Sequence, residues 1–329
     1  MSDRIIEYRQ ALIEAMDEEM ARDDRVFTIG EDVGRYGGVM KVTRGLMEKY
    51  GEMRCVDTPI SEEGFTGIGV GAALAGLRPV IEIMWIDFAT LAMDAIVNQA
   101  AKMHYMFGGK ARVPLVIRTH GGGGLSYAAQ HSQSLESWFV NVPGLITIMP
   151  STPYDAKGLL KSAIRDDNPI IFIEDKSLYN TKGPVPEDEF LIPIGKSDVK
   201  RKGKDITIVA TSRMVVYALN AAEKLAQESI EVEVVDPRTL KPLDIGTIAN
   251  SIKKTHRLLV VNEGSRYCGY AAELVTQAYE AAFDYLDAPI VRLTSEDTPI
   301  PYSKPLEDAA IPNEEKIIHE VKSMLTNLR

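Results

Sequence analysis

Residues 54–84 read RCVDTPISEEGFTGIGVGAALAGLRPVIEIM, and this stretch decides the fold class. A strand is predicted over Arg54–Asp57, and it ends just before a proline. Ser61 is a good N-cap residue for a helix predicted over Glu62–Leu77. A second strand is predicted over Val80–Met84. Strands and helices that alternate at this spacing are typical of a mostly parallel sheet covered on both faces.

The same alternation continues along the rest of the chain. Further strands are predicted over Val26–Ile29, Leu115–Thr119, Leu145–Met149, Ile170–Glu174, Ile206–Ala210, Val232–Val235, Leu258–Val261 and Ile290–Leu293. Helices are predicted over Ile5–Arg22, Phe88–Phe107, Tyr154–Arg165, Asp244–Lys254 and Asn313–Leu328. Two more helices are predicted, one that follows the strand Ile206–Ala210 and ends at Gln227, and one that follows the strand Leu258–Val261 and runs through Tyr285. Between the halves, the stretch from Lys176 to Asp205 is rich in proline, glycine and charge, which indicates a connection. We therefore predict an α/β protein of two doubly wound domains, residues 1–180 and 205–329, joined by a linker over 181–204.

Length and composition agree with this organisation. At roughly 150 residues per domain, 329 residues allow about two domains. A hydrophobic fraction of 45% and a charged fraction of 26% are those of an ordinary globular chain, which excludes disorder and a disulfide-stapled miniprotein. The net charge of −10, without a basic stripe, argues against nucleic acid as a partner.

The sequence also predicts no membrane association. The longest weakly polar run, residues 64–77, is shorter than the roughly 20 residues that cross a bilayer. The charged, amphipathic N-terminus has no apolar signal-peptide core. The two cysteines are too few and too far apart for a zinc cluster or a CxxC pair. We expect a cytoplasmic-type soluble protein, or a mature domain without its leader.

Two acidic residues begin the predicted glycine-rich helix. In the ordinary interpretation, Glu62 and Glu63 complement the helix dipole in its first turn. In the alternative, one carboxylate serves a ligand at the carboxyl edge of the sheet, where open α/β folds bind ligands. The glycines that follow cost a helix about 1 kcal/mol each relative to alanine, which indicates close packing against another backbone. The residues alone leave both interpretations open.

A polar loop follows the strand over Leu115–Thr119. The four glycines of 121–124 allow either a ligand to approach or a mobile loop to form, and they match no phosphate-binding motif. Farther along, His131 lies in the small-residue sequence AAQHSQS of 128–134. Because an imidazole titrates near neutrality, His131 is a candidate proton carrier.

Several motifs together resemble one family over essentially the whole chain. They are GEDVG (30–34), DTPISE (57–62), AAQHSQS (128–134), DAKGLL (155–160), DPRT (236–239) with PLD (242–244), and LED (306–308). The family is that of the β subunits of the thiamine-diphosphate-dependent first component of 2-oxo acid dehydrogenase complexes. The resemblance implies an N-terminal domain that binds the aminopyrimidine of the cofactor and a C-terminal transketolase-type domain.

The resemblance also implies roles for individual residues. Glu62 matches the glutamate that hydrogen-bonds ring nitrogen 1′ of the aminopyrimidine. Phe88 matches the residue that stacks on the pyrimidine ring, and Ile60 and Met84 would line the same pocket. His131 matches the histidine that faces the reaction centre and assists transfer to the lipoyl group. A potassium site in some relatives matches Leu115, Ala163, Ile164, Asp166 and Asn168.

The diphosphate end of the cofactor needs another chain. Thiamine enzymes hold Mg²⁺ and diphosphate through Gly-Asp-Gly and Asn-Asn motifs, as the family implies, and neither motif occurs here. The resemblance therefore implies that an α subunit binds Mg²⁺ and that the assembly is an α2β2 heterotetramer. It also implies a dihydrolipoyl acyltransferase core as partner, whose basic subunit-binding domain would suit the acidic balance of this chain.

The substrate follows less directly from the motifs. The sequence AAQ before His131 resembles pyruvate and acetoin dehydrogenases more than branched-chain enzymes. Residues 105–110 (YMFGGK) and 132–135 (SQSL) resemble the acetoin type, but the longer loop between Asp32 and Gly38 of several acetoin enzymes is missing. Oxidative decarboxylation of pyruvate is the main prediction. The alternatives are an acetoin or branched-chain 2-oxo acid dehydrogenase, or another transketolase-like thiamine enzyme.

Overall fold

The computed structural model describes residues 4–326 and divides the chain into two compact units. Within the described residues, the first unit comprises the chain up to Gly121 together with 138–194. The second unit comprises 122–137 and everything from Gly195 onward. The second unit thus contains a short segment that interrupts the first in sequence.

The first unit is built on a parallel sheet. Its strands β6, β7, β5, β4, β2 and β3 lie side by side in that order. Strands β5 and β7 are buried along their whole length, as expected when both faces of a sheet are covered. The strands of this unit are β1 (Arg4–Glu7), β2 (Val26–Gly30), β3 (Cys55–Asp57), β4 (Arg78–Ile83), β5 (Val116–Gly121), β6 (Ile146–Ile148), β7 (Ile170–Asp175) and β8 (Lys182–Val185).

The helical segments of the first unit depart from prediction in several places. The helix predicted to end at Leu77 ends at Leu74, and the helices Leu46–Tyr50 and Glu136–Val140 were not predicted. Residues 5–7, predicted as helix, belong to β1, because they pair with an extended segment far along the chain. The continuous helix predicted over Phe88–Phe107 is wrong, since a 3₁₀ turn, a π-helical turn and a short α-helix follow one another there. The segments are α1 (Tyr8–Arg22), α2 (Leu46–Tyr50), α3 (Glu62–Leu74), the 3₁₀ helix Ile86–Ala92, the π helix Asp94–Ala100, α4 (Met103–Met106), α5 (Glu136–Val140) and α6 (Pro153–Arg165). Glu136, the first residue of α5, belongs to the second unit, and the first unit resumes at Trp138.

The stretch 181–204, predicted as a linker, contains two short strands. Strand β8 pairs antiparallel with β1, so that Arg4 faces Val185. Strand β9, at Asp198–Arg201, pairs antiparallel with a strand of the second unit. Each strand therefore extends the structure of one unit.

The second unit contains a smaller sheet with strand order β14, β13, β10, β11 and β9. Helices α7 and α11 pack together, and Ile317 and Val321 of α11 are buried in the core of this unit. The predicted end of the last helix, Leu328, lies outside the described residues. The remaining elements are β10 (Ile206–Ala210), α7 (Arg213–Ala226), β11 (Val232–Asp236), β12 (Thr239–Lys241), α8 (Ile245–Thr255), β13 (Leu258–Ser265), α9 (Tyr270–Ala282), the 3₁₀ helix Phe283–Tyr285, β14 (Val291–Ser295), α10 (Lys304–Ala310) and α11 (Glu314–Thr326).

The predicted α/β class is confirmed in both units, because buried parallel strands alternate with helices in each. Among the described residues, no helix combines the length and apolar character required to cross a membrane.

Candidate active site

The predicted cofactor residues follow the carboxyl ends of neighbouring strands in the first unit. Strands β4, β2 and β3 are adjacent and parallel, so their carboxyl ends meet at one edge of the sheet. Glu62 follows β3, and Met84 follows β4. Ligands of open α/β sheets bind at this edge.

Glu62 is the first residue of α3 and is only 5% exposed, whereas its neighbour Glu63 is exposed. Ser61 occupies the N-cap position, but its hydroxyl donates to the Pro59 carbonyl at 3.1 Å and does not cap the helix. Glu62 is therefore a buried carboxyl group at the sheet edge where ligands of open α/β folds bind.

Glu31, which the sequence reasoning did not assign to the site, lies beside Glu62. It follows β2, is 7% exposed, and accepts a hydrogen bond from the Ser61 backbone. Burial, with the nearby charges of Glu62 and Asp32, raises the pKa of Glu31. Its Oε1 is buried with no hydrogen-bond partner within residues 4–326. Its position after the strand next to β3 is the signal that could have identified it.

The three predicted pocket residues differ in exposure. Ile60 is 82% exposed. Met84 and Phe88 are half-buried. Phe88 lies in the 3₁₀ helix that packs against α3, the helix that begins at Glu62. A carboxylate, an aromatic ring and apolar side chains are the groups that an aminopyrimidine requires, so the residues at this edge fit the predicted cofactor.

The second predicted catalytic residue lies in the other unit. His131 is half-buried and ends a 3₁₀ turn over Ala129–His131. Its backbone N–H donates to the Ala128 carbonyl at 3.3 Å. The turn adjoins a cavity of about 490 Å³, lined by residues 129–130 and 132–135, by Glu263 and Ser265 of β13, and by residues 295–300.

The predicted potassium residues lie together, and an arginine already contacts two of them. Arg78 Nη1 donates to the carbonyl oxygens of Ile164 at 3.0 Å and Asp166 at 2.8 Å. Ala163 O and Leu115 O accept backbone hydrogen bonds, and the Asn168 amide donates to the Asp166 carboxylate at 2.8 Å. Because a carbonyl oxygen has two lone pairs, each of these oxygens can still face an ion.

One face of α3 has no covering among the described residues. A Cβ atom added to Gly67 or Gly71 would meet nothing within 4 Å, and Ile68 on the same helix is 59% exposed. At Gly69, by contrast, a Cβ atom would lie 2.4 Å from Ile81 Cδ1, so this glycine permits close packing on the sheet. For the outer face of α3, the close packing against another backbone that the glycines indicate stays a prediction.

A buried ion network supports the sheet beneath this edge. Arg118 on β5 is 2% exposed and donates to Glu82 at 2.7 Å and to Glu174 at 2.7 and 2.8 Å. Tyr179 donates to Glu174 as well. Glu82 also accepts a hydrogen bond from the Val39 backbone, which ties the loop after β2 to the sheet. Such a network fixes neighbouring strand ends in one arrangement.

Comparison with known proteins agrees with this architecture. Residues 4–182 match the family "Transketolase, pyrimidine binding domain", and residues 195–317 match "Transketolase, C-terminal domain". The chain is 50% identical over 317 residues to the pyruvate dehydrogenase E1 component subunit beta of Porphyra purpurea, covering 96% of each chain. It is 46% identical over 334 residues to the acetoin:2,6-dichlorophenolindophenol oxidoreductase subunit beta of Bacillus subtilis (strain 168), covering 98% of each.

The chain belongs to the family of β subunits of the first component of 2-oxo acid dehydrogenase complexes. The mitochondrial pyruvate dehydrogenase E1 β subunit of Dictyostelium discoideum is another relative, 49% identical over 95% of this chain and 89% of its own. A solved structure, "Split gene transketolase, inactive beta4 tetramer", has a TM-score of 0.79 over 98% of this chain and 99% of its own. At 21% identity, that structure supports the fold alone. The predicted family and fold are confirmed.

Proposed function

We propose that this chain is the β subunit of a thiamine-diphosphate-dependent pyruvate dehydrogenase first component. The observation that carries the proposal is sequence identity of 47–50% to pyruvate dehydrogenase E1 β subunits over 95–97% of the chain. Buried Glu62, at the sheet edge where such a family binds its cofactor, supports it. The reaction is the oxidative decarboxylation of pyruvate with transfer of the acetyl group to a lipoyl group.

In this proposal Glu62 holds the cofactor by its aminopyrimidine. The carboxyl group hydrogen-bonds the ring nitrogen, and its burial strengthens that bond by excluding water. Phe88 stacks on the ring, and Ile60 and Met84 form the apolar surface around it. When bound, thiamine diphosphate supplies the carbon nucleophile that adds to the 2-oxo group.

His131 is the proposed proton carrier at the reaction centre. Imidazole is the side chain most often used in general acid–base catalysis, and that of His131 is half-buried. We assign it to protonation and orientation of the acyl group during transfer to the lipoyl group.

The proposal includes partners, because this sequence lacks the motifs that would hold a magnesium diphosphate. We propose that an α subunit supplies the Mg²⁺ site in an α2β2 assembly and that activity requires this subunit. The acyltransferase core would bind through basic residues that complement the net charge of −10. Binding of its subunit-binding domain should therefore weaken as salt increases, and a salt-independent affinity would contradict this part.

An acetoin dehydrogenase is the second candidate, favoured by the Bacillus subtilis relative, which covers 98% of the chain. The two can be separated by co-expressing the chain with its α subunit and measuring dye reduction with pyruvate, acetoin and a branched-chain 2-oxo acid. We expect kcat/KM to be highest for pyruvate and the isolated chain to be inactive. A preference for acetoin would reject the main proposal and establish the second. Turnover by the isolated chain would contradict the role of the α subunit.

A further inference from the structure

The segment that carries His131 adopts an unfavourable backbone conformation. Residues 122–135, here named the His131 loop, leave β5 after Gly121 and fold as part of the second unit. The backbone has positive φ angles at Gly122 (84°), Gly124 (96°), Ser126 (57°) and Ala128 (63°). Residues with a Cβ rarely adopt this region, so Ser126 and Ala128 must be held there by the surroundings.

A buried carboxylate, that of Glu307, binds the first half of the loop. Glu307 lies in α10, is 0% exposed, and belongs to the LED motif found in the sequence. Its oxygens accept hydrogen bonds from the backbone N–H of Gly124 at 2.7 Å and of Ser126 at 3.1 and 3.2 Å. The Ser126 hydroxyl adds a longer contact at 3.5 Å. Hydrogen bonds to an ionised acceptor are stronger than neutral ones, so this carboxylate offsets the strain.

An ion pair between Arg213 and Glu263 binds Gly123, the residue that precedes Gly124. The Gly123 backbone N–H donates to the Glu263 carboxylate, and Arg213 Nη1 donates to the Gly123 carbonyl at 2.7 Å. Arg213 also pairs with Glu263. A Cβ atom at Gly124 would lie 2.2 Å from Arg213 Nη1, so only glycine fits beside the guanidinium.

The far end of the loop is fixed by a second buried carboxylate. Asn262 Nδ2 donates to Glu136 Oε1 at 2.9 Å and to Thr211 Oγ1 at 3.0 Å. Glu136 begins α5 and is 1% exposed. The second unit therefore holds the loop on both sides of His131.

We propose that Glu307 is a positioning residue that acts through His131: its carboxylate holds the loop in the conformation that presents the imidazole for reaction. The inference rests on the proposed function, because it assigns Glu307 to the reaction in which His131 takes part. Glu307 does not itself touch the reacting groups.

The test compares Glu307→Ala and Glu307→Gln with Asp308→Asn. Asp308 is a neighbouring acidic residue that is exposed and pairs with Lys304. Hydrogen exchange of the full chain reports loop order. In Glu307→Ala, exchange over 122–127 should be roughly 10 to 100 times faster, since buried donors lose their acceptor. The exchange rate in Glu307→Gln should be intermediate, because the glutamine Oε1 can accept a hydrogen bond from one backbone N–H while its amide group faces the other. Asp308→Asn should match the unaltered chain.

Kinetics of the α2β2 enzyme test the link to His131. Glu307→Ala should lower kcat by about 10²-fold, as misplacement of a reacting group does, with little change in the KM for thiamine diphosphate. In a His131→Gln background the same substitution should have little further effect, because residues that act as a unit are not additive. A purely structural role predicts additive losses instead.

Either of two results would overturn the inference: unchanged exchange over 122–127 in Glu307→Ala, or fully additive effects in the double variant. If Glu307→Ala does not fold, Glu307→Gln decides in the same assays. An unaltered α2β2 enzyme that turns over none of the substrates would instead reject the proposed function, and the exchange experiment would still report whether Glu307 orders the loop.

Discussion

Replacing Arg118 by methionine should destabilise the protein strongly. Arg118 is buried between Glu82 and Glu174, with donor–acceptor distances of 2.7–2.8 Å. Methionine keeps much of the volume but leaves two buried carboxylates without their cation. Breaking a buried ion pair from one side costs about 3–5 kcal/mol, which corresponds to a fall in Tm of roughly 6–20 °C for a domain of this size. Thermal unfolding followed by circular dichroism measures it.

The loss of stability in Arg118→Met should depend on pH. Burial already raises the pKa of Glu82 against the opposing effect of Arg118, and without the arginine the pKa rises further. A carboxyl whose folded pKa exceeds its unfolded value binds more protons in the folded state, so it stabilises at low pH and destabilises as pH rises. The stability of the variant should therefore be closer to that of the unaltered protein at pH 5 than at pH 8.

Arg112→Met is the matched control. Arg112 also pairs with a carboxylate, Asp167, at 2.7 Å, but its side chain is 73% exposed. Exposed pairs contribute about 0–1 kcal/mol to stability, so the Tm of this variant should be close to that of the unaltered protein at both pH values. Equal losses of stability in the two variants would contradict a strong role for the buried Arg118 network. So would a loss in Arg118→Met of less than about 1 kcal/mol, the upper value for an exposed pair.

Two further predictions concern the helix α3 and the cation site. Gly71→Ala should stabilise the isolated chain by about 1 kcal/mol, because the added Cβ atom meets no other atom within 4 Å. Gly69→Ala should destabilise the chain, because its Cβ atom would contact Ile81. Urea unfolding of both variants measures these effects, and equal effects on stability would contradict the prediction. A potassium ion that lies against the carbonyls of Ile164 and Asp166 should stabilise the folded protein. At a KCl concentration a hundredfold above the Kd, the free energy of unfolding should be about 2.7 kcal/mol higher than in NaCl, as measured by thermal unfolding. Equal midpoints in the two salts would reject the ion site.

The strands could be predicted because their physical cause is local. A continuous apolar run such as Ile170–Glu174 is buried on both faces wherever it lies in a parallel sheet. Helical segments were harder, since apolar spacing does not distinguish 3₁₀, α and π hydrogen bonding over 86–106. Strand β1 was missed because its partner lies near residue 184, far away in sequence.

The candidate site also combines residues that have a local signal in the sequence with residues that only the fold brings together. The position of Glu62 at the start of a helix that follows a strand was predictable from the sequence. Its role came only from the family resemblance and stays a prediction. Glu31 requires knowing that β2 is the neighbour of β3, which only the sheet order gives. The contact of Glu307 with Gly124 joins residues 183 positions apart and leaves no local signal beyond the LED motif.

The central claim is that Glu62 is the carboxylate that serves the cofactor. The most direct measurement compares Glu62→Gln with Glu63→Gln, its exposed neighbour, in the reconstituted α2β2 enzyme with pyruvate and thiamine diphosphate. We predict that Glu62→Gln assembles normally and lowers kcat by about 10² to 10⁴-fold, while Glu63→Gln stays near the unaltered enzyme. Near-normal turnover in Glu62→Gln, or equal losses in both variants, would contradict the account.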